Sequence, residues 1–184
     1  MATFERKRTG PRSPKLFETE AELYNYAVGA LGRITRTVMQ LRRLLQRRVT
    51  PGEGGVAMIE AVLTRLQAQQ YLSDTRYAAS YSALRKENQR LGKRRVAQDL
   101  MQKGVPAEVI SRELELTYSD TDEETQARAF LARKRTRKPT DQRETARVFR
   151  MLARAGFSGS TAMKVLKQWD LDPEALAQLA EADL

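Results

Sequence analysis

Arg143, Arg147, Arg150 and Arg154 recur at intervals of four, three and four residues, which places four guanidinium groups on one face of a helix. Such a row makes and breaks no bonds, but it suits phosphates and carboxylates, because each guanidinium offers five N–H donors in a planar fork. Arg36, Arg43 and Arg47 form a second outward row, opposite Val38, Leu41 and Leu45. Lys93, Arg94 and Arg95 stand together after Gly92. Arg85 lies on the Tyr81 side of its helix, where a snorkelling or paired arginine and a groove-lining cation are equally consistent with the pattern. Like charges one turn apart repel by about 0.2–0.5 kcal/mol per pair, so the 143–154 row is read as a binding surface rather than a solvated face.

Other chemistry is excluded by what is missing. The 184 residues contain neither cysteine nor histidine. That removes disulfides, thiolate nucleophiles, Cys/His zinc sites and every triad built on imidazole. Carboxylates remain: Glu108, Glu113, Glu115, Asp120, Asp122, Glu123 and Glu124 crowd one stretch with Arg112 alone among them. Several of these sit at a helix start, where acids stabilise the dipole, and that explanation is cheaper than a Mg²⁺ site. Asp74 is read as an N-cap and not as a catalytic acid. No catalytic residue, metal ligand or cofactor site is therefore assigned. The acidic stretch suits a basic protein surface better than DNA.

Lys and Arg number 33 against 23 Asp and Glu, a formal net charge of +10, which points to a polyanionic partner. The length allows one or two domains with a real core. No apolar run approaches the roughly 18 residues of a membrane-spanning helix. The opening Met1-Ala-Thr-Phe-Glu-Arg-Lys-Arg has no apolar stretch of a secretory signal, and with the missing cysteines the expectation is a cytoplasmic monomer.

The elements that must carry these charges are helices throughout. Ile59, Val62, Leu63 and Leu66 show the spacing of a core-facing stripe, and Val96, Ala97, Leu100 and Met101 are expected inward in the same way. A helix is expected from Asp120 to Arg135 and another from Asp141 to Ala155, with a weak one opening at Pro173. The segment Leu100 to Val105 lines up with Leu152 to Phe157 at a shift of 52 and with Leu44 to Val49 at a shift of 56. The chain is thus three tandem three-helix repeats, 18–72, 73–118 and 119–169, after a flexible basic arm at 1–17 and before an acidic tail or short helix at 170–184. The two arginine rows do not superimpose under that alignment.

These repeats carry a resemblance. Tyr71-Leu72-Ser73-Asp74-Thr75-Arg76-Tyr77-Ala78 is similar to the "G-Y-L-D/N-D-x-x-Y/F-A" hallmark of RecX, the regulatory protein of the RecA recombinase. Gly92 through Val96 and Asp99 through Val105, with Leu100 and Gly104, resemble its "G-x-x-R-I-x-x-E-L-x-x-K-G-I" run. Tyr26 through Leu44 and Leu152-x-x-x-Gly156-Phe157-Ser158 resemble its opening and closing motifs. Gln70 stands where the hallmark has glycine, and Thr37 and Gln40 replace a Ser and a Glu while keeping a capping box. Tyr71, Leu72, Asp74, Tyr77, Ala78, Gly92, Leu100, Gly104, Gly156 and Phe157 are expected to be structural.

The resemblance implies an elongated, curved all-α array that binds the RecA filament on single-stranded DNA and restrains recombinase, ATPase and coprotease activity in repair and the SOS response. It implies no catalysis and allows direct DNA binding. A helix-turn-helix-like nucleic-acid-binding protein independent of RecA is the alternative, and a carboxylate-metal nuclease a further one.

Overall fold

The computed structural model describes residues 15–169. Among them are nine helices and no strand: α1 (Glu20–Arg33), α2 (Val38–Gln46), α3 (Glu53–Ala68), α4 (Asp74–Gln89), α5 (Lys93–Gln102), α6 (Ala107–Tyr118), α7 (Glu123–Arg133), α8 (Gln142–Arg154) and α9 (Gly159–Lys167). They fall into two compact units that divide the chain between Leu72 and Ser73. The expected helix at Pro173 and the first fourteen residues of the expected arm lie outside the described residues.

The first unit closes α1–α3 around Leu23, Ala27, Leu41, Leu45, Ile59, Val62, Leu63, Leu66 and Leu72. The Thr37–Gln40 box forms as expected: the Gln40 amide N–H donates to Thr37 Oγ1 at 3.1 Å and the Thr37 N–H to Gln40 Oε1 at 3.2 Å. Phe17, assigned to the arm from sequence, is instead tied down. Its N–H donates to the Arg48 carbonyl at 2.7 Å and its ring packs 5.2 Å from that of Tyr26. At the end of α3 the hallmark's missing glycine shows its consequence. Gln70 has φ +61, the left-handed conformation glycine adopts without a Cβ penalty. The chain path is kept, with the Tyr71 N–H reaching back to the Leu66 carbonyl at 2.9 Å to close the helix end.

The second unit contains α4–α9 and two apolar clusters. One holds Ala78, Val96, Leu100, Val105, Ile110 and Leu114; the other holds Ala127, Phe130, Leu131, Val148, Phe149, Leu152, Phe157, Val165 and Leu166. Leu91 packs against both. Between the clusters two backbones touch. The Gly92 N–H donates to the Ala155 carbonyl at 2.9 Å, and the Gln126 side-chain amide donates to the Lys86 carbonyl at 2.9 Å. A Cβ on Gly92 would lie 2.6 Å from the Gly156 carbonyl carbon, and one on Gly156 would lie 2.6 Å from the Arg95 Cβ. Both are far inside the 3.5–4.0 Å of ordinary carbon contact. Gly156 also has φ +92.

Several sequence expectations shift. α7 begins at Glu123 with Asp122 as N-cap, because Asp122 accepts the Thr125 N–H at 2.8 Å; Asp120 lies ahead of the helix. Ser73, not Asp74, caps α4, its hydroxyl accepting the Arg76 N–H at 3.3 Å. Met101, expected inward, is 64% exposed, and Tyr71 of the hallmark is 61% exposed. Val96 and Leu100 form the buried edge of α5 and Ala97 packs partly against the same cluster, while Met101 lies off that edge.

Two substitutions test these points. Gly92→Ala and Gly156→Ala should each destabilise the second unit by at least about 1–3 kcal/mol, seen as a lower denaturation midpoint, because backbone rather than a movable side chain stands in the way. Gln70→Gly should instead stabilise by about 0.5–1 kcal/mol in the same assay, by relieving the left-handed strain.

Candidate functional site: a cationic cleft

The Gly92–Gly156 approach sets the N-terminal turn of α5 against the end of α8, and a cleft of about 700 Å³ opens beside it. Arg85 and Gln89 of α4, Arg95 and Asp99 of α5, Phe130 and Lys134 at the end of α7, and Arg147, Arg150, Met151 and Arg154 of α8 line it, with Leu91 and Ala155. Six cations therefore share a hollow with one carboxylate. α8 can present three of them because Val148, Phe149 and Leu152 on its other side are buried in the core. No ion pair or hydrogen bond joins the side chains of Arg147, Arg150 or Arg154 to any described residue.

Behind the cleft's lining, Tyr81 holds two of its residues, Arg85 and Asp99. The Arg85 guanidinium sits 4.7 Å from the centre of the Tyr81 ring, a cation–π contact, and Arg85 Nε is buried with no hydrogen-bond partner. Arg85 thus packs its charge on an aromatic ring and also lines the cleft. Tyr81 donates its hydroxyl to Asp99 Oδ2 at 3.1 Å, while Asp99 Oδ1 lies 3.1 Å from Arg95 Nε. Burial pushes the Tyr81 phenol above its usual range, and Asp99 pushes the same way against Arg85.

The eleven cations singled out from sequence divide accordingly. Arg85, Arg95, Arg147, Arg150 and Arg154 are brought together. Arg143 is exposed on α8 but does not line the cleft. Lys93 pairs with Glu115 at 2.5 Å, and with Arg94 it borders a different hollow, about 520 Å³, whose walls include Met101, Ile110, Leu114 and Phe157. Arg36, Arg43 and Arg47 belong to the first unit. Arg43 and Arg47 are exposed, but Arg36 precedes the Thr37 cap and is half-buried, so it is not part of the α2 row. Lys134, Asp99 and the hydroxyl of Tyr81 were missed. Asp99 could have been found from its i, i+4 spacing to Arg95; nothing in the sequence marks Lys134.

Several acids of the 108–124 stretch make structural contacts. Glu113 pairs with Arg112 at 3.3 Å and Glu124 with Arg128 at 3.0 Å. Glu123 accepts from the Ser158 N–H at 2.9 Å, the Ser158 hydroxyl at 2.7 Å and the Thr161 hydroxyl at 2.5 Å, locking the start of α9 to α7. Among the described residues no group of three or more acids is placed to hold a metal ion, and no helix is long and apolar enough to cross a membrane. Burial pushes the Glu123 carboxyl up, but the hydrogen bonds from Thr161 and Ser158, with the nearby Arg94 charge, more than offset this and leave it lowered.

Fold and cleft together define a class: an all-helical protein of three-helix groups that carries a concentrated cationic hollow. Residues 73–114 match the family model described as RecX, second three-helix domain. The regulatory protein RecX of Leptothrix cholodnii is 40% identical over 129 residues, covering 70% of this chain and 80% of the relative. That of Myxococcus xanthus is 34% identical over 174 residues, covering 88% and 92%. A crystal structure of regulatory protein RecX superposes with a TM-score of 0.65 at 27% identity, over 81% of this chain and 71% of the other. The RecX crystal structure from Lactobacillus salivarius shares the fold, with a TM-score of 0.63 at 21% identity, over 83% of this chain and 97% of the other. The chain belongs to the RecX family.

The Glu123 lock predicts a pH dependence. A carboxyl whose pKa is depressed by folding stabilises the fold above its unfolded pKa and loses that contribution as pH falls through the folded value. The Tm gap between the parent and Glu123→Gln should therefore be full above the ordinary glutamate value of 4.5 and close as the pH drops below it.

Proposed function

We propose that this RecX-family chain restrains the RecA–single-stranded-DNA filament, lowering recombinase, ATPase and coprotease activity in the cytoplasm without catalysis of its own. One observation carries the reading: five arginines and a lysine from four helices converge in one cleft beside one carboxylate. Unpaired like charges gathered by folding raise the energy of the free protein, so the arrangement is accounted for by a polyanion that neutralises them on binding. The repeats, taken as 18–72, 73–118 and 119–169, are proposed as the units that engage the filament, with the Arg43 and Arg47 face of α2 as a second contact. Phosphates of the bound DNA and acidic side chains of RecA are the complementary groups.

Titration into a RecA–single-stranded-DNA ATPase assay tests this. The parent should lower turnover without cutting DNA. Replacing Arg143, Arg147, Arg150 and Arg154 with glutamine removes four charges, keeps Val148 and Leu152 in place, and should weaken inhibition with a flatter salt dependence and unchanged or slightly raised stability. Leu152→Ala should do the opposite: lose about 2–5 kcal/mol of stability through a core cavity, with inhibition reduced only as folded protein is lost. Unchanged RecA turnover together with tight binding of bare duplex would favour an independent DNA-binding protein instead.

A further inference from the structure

We infer that Asp99 is an internal counter-anion that sets how tightly the cleft holds a phosphodiester, by competing with the phosphate for Arg95. The inference rests on the reading above, that the cleft meets the filament, and assigns its ligand chemistry and the residue that tunes it. Asp99 is the one acid among the residues lining the cleft. Its side chain is 14% exposed, and each of its oxygens has a partner: Oδ1 the Arg95 guanidinium, Oδ2 the Tyr81 hydroxyl, each at 3.1 Å. Arg95 is engaged only through Nε, is 47% exposed, and has no other partner among the described residues. Arg85, stacked on the same tyrosine, has a buried Nε with no acceptor at all.

These facts describe a site that is filled at one end by the protein's own carboxylate and short of acceptors at the other. An entering phosphate brings acceptor oxygens toward Arg85, Arg147, Arg150 and Arg154, which lack anions, and can draw Arg95 away from Asp99. The guanidinium forks match phosphate oxygens in bidentate fashion, and six cations gathered against one carboxylate in a single hollow suit the closely repeated charge of a phosphodiester backbone. Asp99 must be displaced or must repel the entering group, so its charge lowers the affinity of the complex and makes release easier. Among the acids of the chain it is thus the one expected to oppose binding from inside the site.

The test is binding of a fluorescein-labelled oligothymidylate to the full chain by anisotropy, across about 50–200 mM salt. Asp99→Asn removes the charge and keeps the shape. Affinity should rise about tenfold at low salt, and the slope of log K against log salt should steepen by about 0.7, the mark of one further phosphate contact on a single strand. Asp99→Glu, which retains the charge, should stay near the parent. In an Arg95→Gln background the gain from Asp99→Asn should vanish; a gain that persists there would mean bulk charge rather than competition at Arg95, and would overturn the inference. Weaker binding by Asp99→Asn would overturn it too, making Asp99 a support for Arg95. If Asp99→Asn does not melt cooperatively, Asp99→Ser takes its place, and failure of both shows that Asp99 holds the fold, which also sinks the idea. Replacing Arg147, Arg150 and Arg154 with glutamine separates the two readings. If that variant loses oligothymidylate while Asp99→Asn is silent, the cleft binds phosphates and the Asp99 inference alone fails. If oligothymidylate ignores all of these changes while RecA inhibition responds to the arginines, the cleft meets an acidic protein surface and the phosphodiester assignment falls.

Discussion

Two glycine backbones in contact set the geometry of the second unit. Gly92 opens α5 and Gly156 ends α8, and neither position has space for a single carbon more. Because the α5 start lies against the α8 end, Arg95 comes to the side of the helix that faces the α8 arginines, while Lys93 and Arg94 are turned toward another hollow. The apolar clusters on either side of the contact supply the stability, with Leu91 bridging them, but the glycines decide the distance at which they are joined. A cleft made this way is a property of the junction, and neither helical group has it alone.

Charge follows from the same junction. Outside the cleft some cations are balanced locally: Arg42 with Glu60 at 2.8 Å, Lys93 with Glu115, Arg112 with Glu113, Arg128 with Glu124. Exposed pairs of this kind contribute little to stability, in the range of about 0–1 kcal/mol, yet they remove charge from the surface available to a partner. In the cleft that local balance stops at Asp99. The acidic stretch around the start of α7 supplies the cleft with no counter-charge, and two of its members are committed elsewhere: Asp122 caps α7 and Glu123 fastens α9. Asp122 and Glu123 are therefore part of the frame of the second unit.

Helix ends show how tolerant this frame is of departures from the family pattern. The left-handed residue after α3 is Gln70, that at the end of α4 is Arg90, and that after α7 is Arg135, whereas Gly104 and Gly156 fill the equivalent role after α5 and α8. Where only φ is demanded, a longer residue is carried at a cost of about 1–2 kcal/mol. Where φ and close approach are demanded together, at Gly156, a side chain has no room.

The sequence by itself determined the helices, the capping box at Thr37 and Gln40, the inward faces of α3 and α8, the absence of imidazole and thiol chemistry, and the family. All of these depend on residue type and on spacing within one element, where a 3.6-residue period or a cap three residues away is readable along the chain. Only the tertiary structure decided which cations act together. Arg85, Arg95, Lys134 and the α8 row come from four helices, and their meeting depends on the depth of a backbone contact that no periodicity encodes. Arg143 and Arg150 are indistinguishable as letters on one stripe, yet Arg150 lines the cleft and Arg143 does not, because a helix face is longer than the hollow it borders. Tyr81 with Arg85 and Asp99 with Arg95 are each four residues apart on one helix, but only the packing of α4 against α5 brings the Tyr81 hydroxyl to Asp99 and joins the two pairs.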